Sequence, residues 1–288
     1  MSRILVTGSN GQVGSEIRAL SSKYDYTFLF TDREELDITD KEAIETFIKN
    51  NKIDTIINCG AYTAVDRAEE DQELADSVNH IATKNLGEVA KKYSLKLVHI
   101  SSDYVFDGTN FRPYIETDNT NPNGIYGKTK LDGERALQSI NPEKSIIIRT
   151  SWVYSSFGAN FVKTMLRLGK ERDSLGVIFD QVGTPTYARD LARTILEILP
   201  QIENSDVEIY NYSNEGVLSW YDFAKEIMRM AKLECSINPI ETKEYPTPAK
   251  RPHYSLLNKA KIKEQFNITI PFWKDSLDAC LTTMGERK

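Results

Sequence analysis

The chain has 288 residues, 40% of them hydrophobic and 27% charged, and 36 Lys and Arg against 42 Asp and Glu give a formal net charge of −6. That balance is ordinary for a globular protein and lacks the basic surplus with which nucleic-acid binders hold phosphates. No apolar run approaches the ~20 residues that cross a bilayer, and no leader pattern precedes the first strand, so a cytoplasmic protein with no membrane partner is expected.

The first strand is expected over 3–7, where Arg3-Ile4-Leu5-Val6-Thr7 is β-branched and apolar. Thr7-Gly8-Ser9-Asn10-Gly11-Gln12-Val13-Gly14 follows at once, with glycines spaced G-x-x-G-x-x-G, and opens a helix over 11–20. Glycines there permit a tight turn and let the backbone approach a pyrophosphate, which the free N–H groups of the helix start then hold. A second strand over 27–31 ends at Asp32, 18 residues after Gly14. A carboxylate at that place can accept the adenosine ribose hydroxyls and favours NAD. Arg33 beside it can pair with the 2′-phosphate of NADP, so NADPH or NADH remains open.

A helix over 40–49, a strand over 55–58, a helix over 74–93, a strand over 96–101, a helix over 124–140 and a strand over 145–149 continue the alternation. Runs such as Ile146-Ile147-Ile148 are apolar without alternating, as in parallel strands buried on both faces. Four strand-helix-strand repeats predict a doubly wound parallel α/β sheet. The rhythm then changes, with helices over 160–169, 188–199 and 220–232, strands over 176–179 and 208–212, and a proline-rich loop at Tyr245-Pro246-Thr247-Pro248-Ala249-Lys250-Arg251-Pro252. Residues 1–150 are expected to form a dinucleotide-binding domain. Residues 151–288 are expected to form mainly a smaller C-terminal substrate-binding lobe, with some segments returning to the first.

Within the helix over 124–140, Tyr126 and Lys130 are four residues apart and share a face. A free phenol titrates near pH ~10, and a neighbouring ammonium is expected to bring that value down. The pair therefore suits proton donation during a carbonyl reduction. Ser101-Ser102-Asp103 ends the fourth strand, where the ligands of an open parallel sheet gather, so a hydroxyl there can hold a carbonyl oxygen. Cys59, Cys235 and Cys280 are odd in number and far apart, and His80, His99 and His253 suggest no metal site. His99, inside Leu97-Val98-His99-Ile100, is expected to be a satisfied core histidine.

The glycine turn, Asn58-Cys59-Gly60-Ala61-Tyr62-Thr63-Ala64-Val65-Asp66, Ser101-Ser102-Asp103-Tyr104-Val105-Phe106 and the Tyr126/Lys130 pair together resemble the extended short-chain dehydrogenase/reductases. Arg149-Thr150-Ser151-Trp152-Val153-Tyr154, Asp180-Gln181-Val182-Gly183-Thr184-Pro185-Thr186 and the proline-rich loop extend the likeness along the whole chain, towards the dTDP-4-dehydrorhamnose reductase family. The resemblance implies a Rossmann-type fold and reduction of the C4 ketone of a nucleotide sugar. It implies Ser102, Tyr126 and Lys130 as the catalytic set, with Lys130 on the nicotinamide ribose. Gly8, Asn10, Gly11, Gln12, Val13 and Gly14 would face the pyrophosphate. Asp32, Arg33, Asp37 and Ile38 would lie near the adenosine, and Gly60, Ala61 and Tyr62 beside the cofactor. Tyr104 and Trp152 would pack on the deoxysugar, with Gln181 and Arg251 on its nucleotide.

Some relatives dimerise through a metal held by glutamates. Glu16 matches one such place, but Arg189 stands at another. A magnesium bridge is not expected, and the chain would be a monomer or a homodimer. Two other functions stand beside this one: another nucleotide-sugar reductase or epimerase on the same scaffold, and a non-catalytic dinucleotide-binding regulatory subunit. Dehydration is disfavoured because Asp103 is followed by Tyr104, not by an acid.

Overall fold

The fold is seen in a computed structural model that describes residues 2–287; Met1 and Lys288 lie outside it. Strands β1 (Arg3–Thr7), β2 (Thr27–Phe30), β3 (Thr55–Asn58), β4 (Lys96–Ser102) and β5 (Ser145–Thr150) pair in parallel with a sixth, Glu208–Tyr212. Their spatial order is β2, β1, β3, β4, β5 and then Glu208–Tyr212. The chain therefore reverses its direction of winding between β1 and β3, and an open sheet of this kind leaves a crevice at the carboxyl ends of those two strands.

Side-chain alternation divides the sheet between two cores. Ile4, Val6, Ile146 and Ile148 face one side, where α1 (Gln12–Leu20) and the helix Ala188–Ile198 cover them. Leu5, Ile56 and Ile147 face the other, under α2 (Lys41–Asn51) and the helices Ala82–Tyr93 and Ile125–Ile140. Both faces are buried under helices, as the uninterrupted apolar runs require.

The helix expected over 74–93 is broken. It starts at Gln72–Asp76, passes through a π-helical segment at Ser77–Ile81 and resumes as Ala82–Tyr93. Asn79 gives the physical reason. Its amide accepts from Tyr62 N–H at 2.9 Å and donates to Tyr62 C=O at 3.1 Å and Thr129 Oγ1 at 3.1 Å, while Thr83 Oγ1 donates to Asn79 C=O at 2.7 Å. Widening the helix by one residue lets that amide reach the loop after β3.

In the second half, the helices Phe161–Glu171, Trp220–Ala231 and Trp273–Thr283 enclose an apolar cluster with the parallel pair Ser174–Ile178 and Ser236–Ile240. The strand Ser236–Ile240 and the helices Ala260–Phe266 and Trp273–Thr283 were not anticipated from the sequence. A capping box of Ser219 and Asp222 fixes the start of Trp220–Ala231 and so places Trp220.

Candidate active site

The glycine turn after β1 is built for close approach. Gly8 has φ +60°, and a Cβ there would lie 2.6 Å from Gly60 Cα; at Gly14 a Cβ would lie 2.6 Å from Gly8 O. Only glycine fits either position. The first turn of α1 has Gly11 as its N-cap with no side-chain hydrogen bond, which leaves its N–H groups for a ligand. Beside it lies a groove of about 310 Å³ lined by Gly8, Gly11, Asp32, Arg33, Asp37, Ile38, Gly60 and Ala61, among others. The cradle fits the pyrophosphate and adenosine of a dinucleotide.

Asp32 sits at the groove floor, accepting from Asn10 N–H at 3.1 Å and Arg33 N–H at 2.9 Å. Arg33 is at the rim, with a side chain 75% exposed and 3.7 Å from Asp37. The carboxylate is held by two backbone N–H groups and the guanidinium is exposed at the rim, so the groove has an acceptor that suits ribose hydroxyls and a cation that suits a phosphate. The hydroxyl and N–H of Thr39 hold Asp37 below the usual carboxylate range.

A second cavity of about 530 Å³ continues from Gly11, Cys59 and Ala61 to Ser102, Tyr104, Tyr126, Lys130 and Trp152, and Gln12 and Val13 also line it. Tyr126 and Lys130 lie in the first turns of Ile125–Ile140, and Ser102 ends β4. Ser102 donates to Asp103 Oδ1 at 3.1 Å and lines the same cavity as the Tyr126 phenol. Tyr104 packs edge-on against Tyr126, with ring centroids 5.5 Å apart.

The expected lowering of the phenol by the ammonium is not found. Burial pushes Tyr126 up to about 12, opposed by the nearby Ser102 hydroxyl and with help from Asp103. Lys130 is turned towards the strand, where Nζ donates to Ile100 C=O at 2.7 Å and lies 3.4 Å from His99 Nε2. Burial pulls Lys130 down to about 8, opposed by Glu134. In the chain by itself, desolvation sets the direction of both shifts.

Asp103, which was not among the expected site residues, lines the cavity almost fully buried, with Oδ2 unpaired. Burial raises its carboxyl to about 7. Trp220 was missed as a site residue. It lines the cavity and stacks on Trp152, whose φ of +48° is rare for a bulky side chain. Gln12 ties the two halves together, donating to Val153 C=O at 3.3 Å and accepting from Asn160 Nδ2 at 3.0 Å.

Four of the expected ligands line neither cavity. Tyr62 lines neither cavity, because its phenol donates to Asp71 Oδ2 at 3.0 Å. Asn10 meets the site only through its N–H on Asp32. Gln181 is buried and donates to Thr242 Oγ1 at 3.1 Å. Arg251 is committed to Asp66, at 2.7 Å and 2.9 Å, and pins the proline-rich loop against the crossover after β3.

The glutamate implied as a metal ligand does not fit that role. Glu16 is fully buried and accepts from Ser155 Oγ at 2.7 Å and Arg189 Nη1 at 3.3 Å, so a guanidinium stands where a cation would bind.

Residues 1–286 match a family model described as the RmlD substrate binding domain. A dTDP-4-dehydrorhamnose reductase from Aggregatibacter actinomycetemcomitans is 43% identical over 287 residues, which is 96% of this chain and 97% of that protein. The chain belongs to the RmlD family of dTDP-4-dehydrorhamnose reductases. A solved reductase of that name from Clostridium acetobutylicum ATCC 824 superposes with a TM-score of 0.94 at 42% identity, covering 98% of this chain and 99% of that one. Another, from Bacillus anthracis str. Ames in complex with NADP, gives a TM-score of 0.92 at 36% identity over 98% and 100% of the two chains. The family's Rossmann-like parallel sheet with flanking helices is the fold described above.

Proposed function

We propose that the chain reduces the C4 ketone of dTDP-4-dehydro-L-rhamnose to give dTDP-L-rhamnose, using NADPH or NADH. One observation carries the reading: Ser102, Tyr126 and Lys130 share the wall of a cavity that begins at the glycine cradle of Gly8, Gly11 and Gly14. A bound reduced nicotinamide supplies the hydride. The Ser102 hydroxyl holds the ketone oxygen, and Tyr126, protonated at neutral pH, gives its proton to the alkoxide that forms there. Lys130 holds the nicotinamide ribose. Tyr104, Trp152 and Trp220 form the apolar wall for the deoxysugar, since flat rings cover a sugar face at little entropic cost.

The first half would carry the cofactor and the second mainly the sugar nucleotide, as in a two-lobed enzyme closing on a cleft. The partner is a small nucleotide sugar, in the cytoplasm; among the described residues no helix is long and apolar enough to cross a membrane. Any self-association would proceed without a metal on Glu16.

The test is net oxidation of NADPH and of NADH by the purified chain with enzymatically made dTDP-4-dehydro-L-rhamnose, with the product sugar identified. Stoichiometric dTDP-L-rhamnose supports the reading. Tightly bound NAD with no net oxidation would favour an epimerase instead, and cofactor binding without any turnover would favour a regulatory subunit.

A further inference from the structure

Behind Lys130 runs a buried line of hydrogen bonds that fixes the proton on a histidine. Asn58 Oδ1 accepts from Gly60 N–H at 3.1 Å and from Thr7 Oγ1 at 2.8 Å. A backbone N–H can only donate, so the Asn58 amide has one allowed orientation, with its Nδ2 turned to His99. The two nitrogens, Asn58 Nδ2 and His99 Nδ1, are 3.0 Å apart. An amide nitrogen also can only donate, so His99 Nδ1 carries a lone pair and the ring is neutral with its proton on Nε2. That Nε2 faces Lys130 Nζ at 3.4 Å, and all three side chains are 1% exposed.

An ammonium would oppose one N–H with another at this contact. An amine has a lone pair to receive it. We propose that His99 is a positioning residue that carries its proton on Nε2 and donates it to Lys130 when that side chain is an uncharged amine, so that at alkaline pH the lysine takes up a proton from water when the dinucleotide binds. The approaching diphosphate favours the cation, and the lysine's remaining hydrogens then serve the ribose hydroxyls.

The surroundings agree. Burial holds His99 well below its ordinary value, and burial brings Lys130 down. Glu134 is the carboxylate that raises Lys130, but it is already paired with Arg149 of β5 at 2.7 Å and receives the Ser101 hydroxyl. The other titratable groups along this wall are Tyr126, Asp103 and Cys59, the phenol and thiol pushed up to about 12 and the acid to about 7. None of them supplies a settled negative charge near the amine at neutral pH.

The role in catalysis rests on Lys130 as the ribose ligand, but the tautomer does not, so two measurements separate them. The chain has three histidines, and ¹⁵N-histidine labelling of the full-length protein resolves each ring. One ring is expected to keep the neutral Nε2–H pattern down to acid pH and to vanish in His99→Leu. An Nδ1–H or imidazolium pattern for that ring would overturn the proposal, whatever reaction the chain performs.

The second measurement is the pH dependence of NADPH and NADH affinity, read by nicotinamide fluorescence, with proton uptake followed in weak buffer. Affinity should fall above about pH 8 as the amine becomes harder to protonate. Asn58→Asp keeps the acceptor for Gly60 and Thr7 but reverses the bond to His99, turning Nε2 into an acceptor for an ammonium. The fall should then move upward by about one pH unit or more. His99→Leu should move it the same way without adding a charge, which separates loss of the Nε2–H from the effect of a new carboxylate. Unshifted profiles in both folded variants, or binding without proton uptake in the wild type at high pH, would contradict it.

Discussion

The indole of Trp152 lies 3.7 Å from that of Trp220 between ring centroids, at an interplanar angle of 15°. Trp152 is held in a left-handed backbone conformation just past β5, and the stack faces the cavity opposite Tyr104 and Tyr126. Strain of this kind persists where surrounding packing enforces it. Trp220 thus supports Trp152 in the wall of the cavity proposed to take the sugar. Trp220→Ala should raise KM for the sugar nucleotide about fivefold, the worth of an aromatic pair of about 1 kcal/mol, while leaving dinucleotide affinity in place. Steady-state kinetics on both substrates check this; an unchanged KM would remove Trp220 from the sugar site.

Asp103 should leave a mark on stability. Its folded value of about 7 stands above the ordinary 3.8. The folded state therefore binds the proton more tightly, and its contribution to stability is full below the unfolded value and lost as pH rises through the folded one. Between about pH 4 and pH 7 the wild type should lose on the order of a few kcal/mol relative to Asp103→Asn. Urea denaturation of both proteins across that window measures the difference. Parallel curves would show that the carboxyl is not desolvated.

The pair of Glu134 and Arg149 is almost wholly buried and bidentate, and it also receives Ser101 and reaches the Glu116 carbonyl. Removing one partner leaves an uncompensated charge in the core. Glu134→Gln should cost about 3–5 kcal/mol in chemical denaturation. A loss under about 1 kcal/mol would mean that water reaches the arginine.

Arg251 and Asp66 are half-exposed, and Arg251 holds Asp66 below the usual carboxylate range. Asp66→Ala, Arg251→Ala and the double variant should be strongly non-additive in thermal unfolding, with a coupling of about 1 kcal/mol. Each should also loosen the 245–252 loop to proteolysis. Additive effects would break the link between the loop and the crossover.

What could be read from the chain followed from local chemistry. The apolar runs of β1 and β3 to β5, the G-x-x-G-x-x-G turn and the four-residue spacing of Tyr126 and Lys130 are short-range signals, and each sits where its periodicity placed it. The departures come from partners far away in sequence. Arg251 was expected on the nucleotide, and nothing near it in sequence announces its ion pair with Asp66, 185 residues earlier. The 74–93 helix looked continuous because nothing nearby announces that Asn79 will bond Tyr62 and Thr129. Trp220 reads as an ordinary helix-start aromatic, and only folding brings it onto Trp152. The phenol of Tyr126 was expected to be lowered, because spacing reveals the neighbouring ammonium but not the burial that outweighs it.

The most direct test of the central claim is turnover of dTDP-4-dehydro-L-rhamnose by wild type and Tyr126→Phe side by side, with dinucleotide affinity measured on both. Loss of the proton donor should cut kcat by about 10²-fold or more, with cofactor binding and thermal unfolding unchanged. Turnover that survives in the folded variant would take Tyr126 out of the reaction and contradict the account.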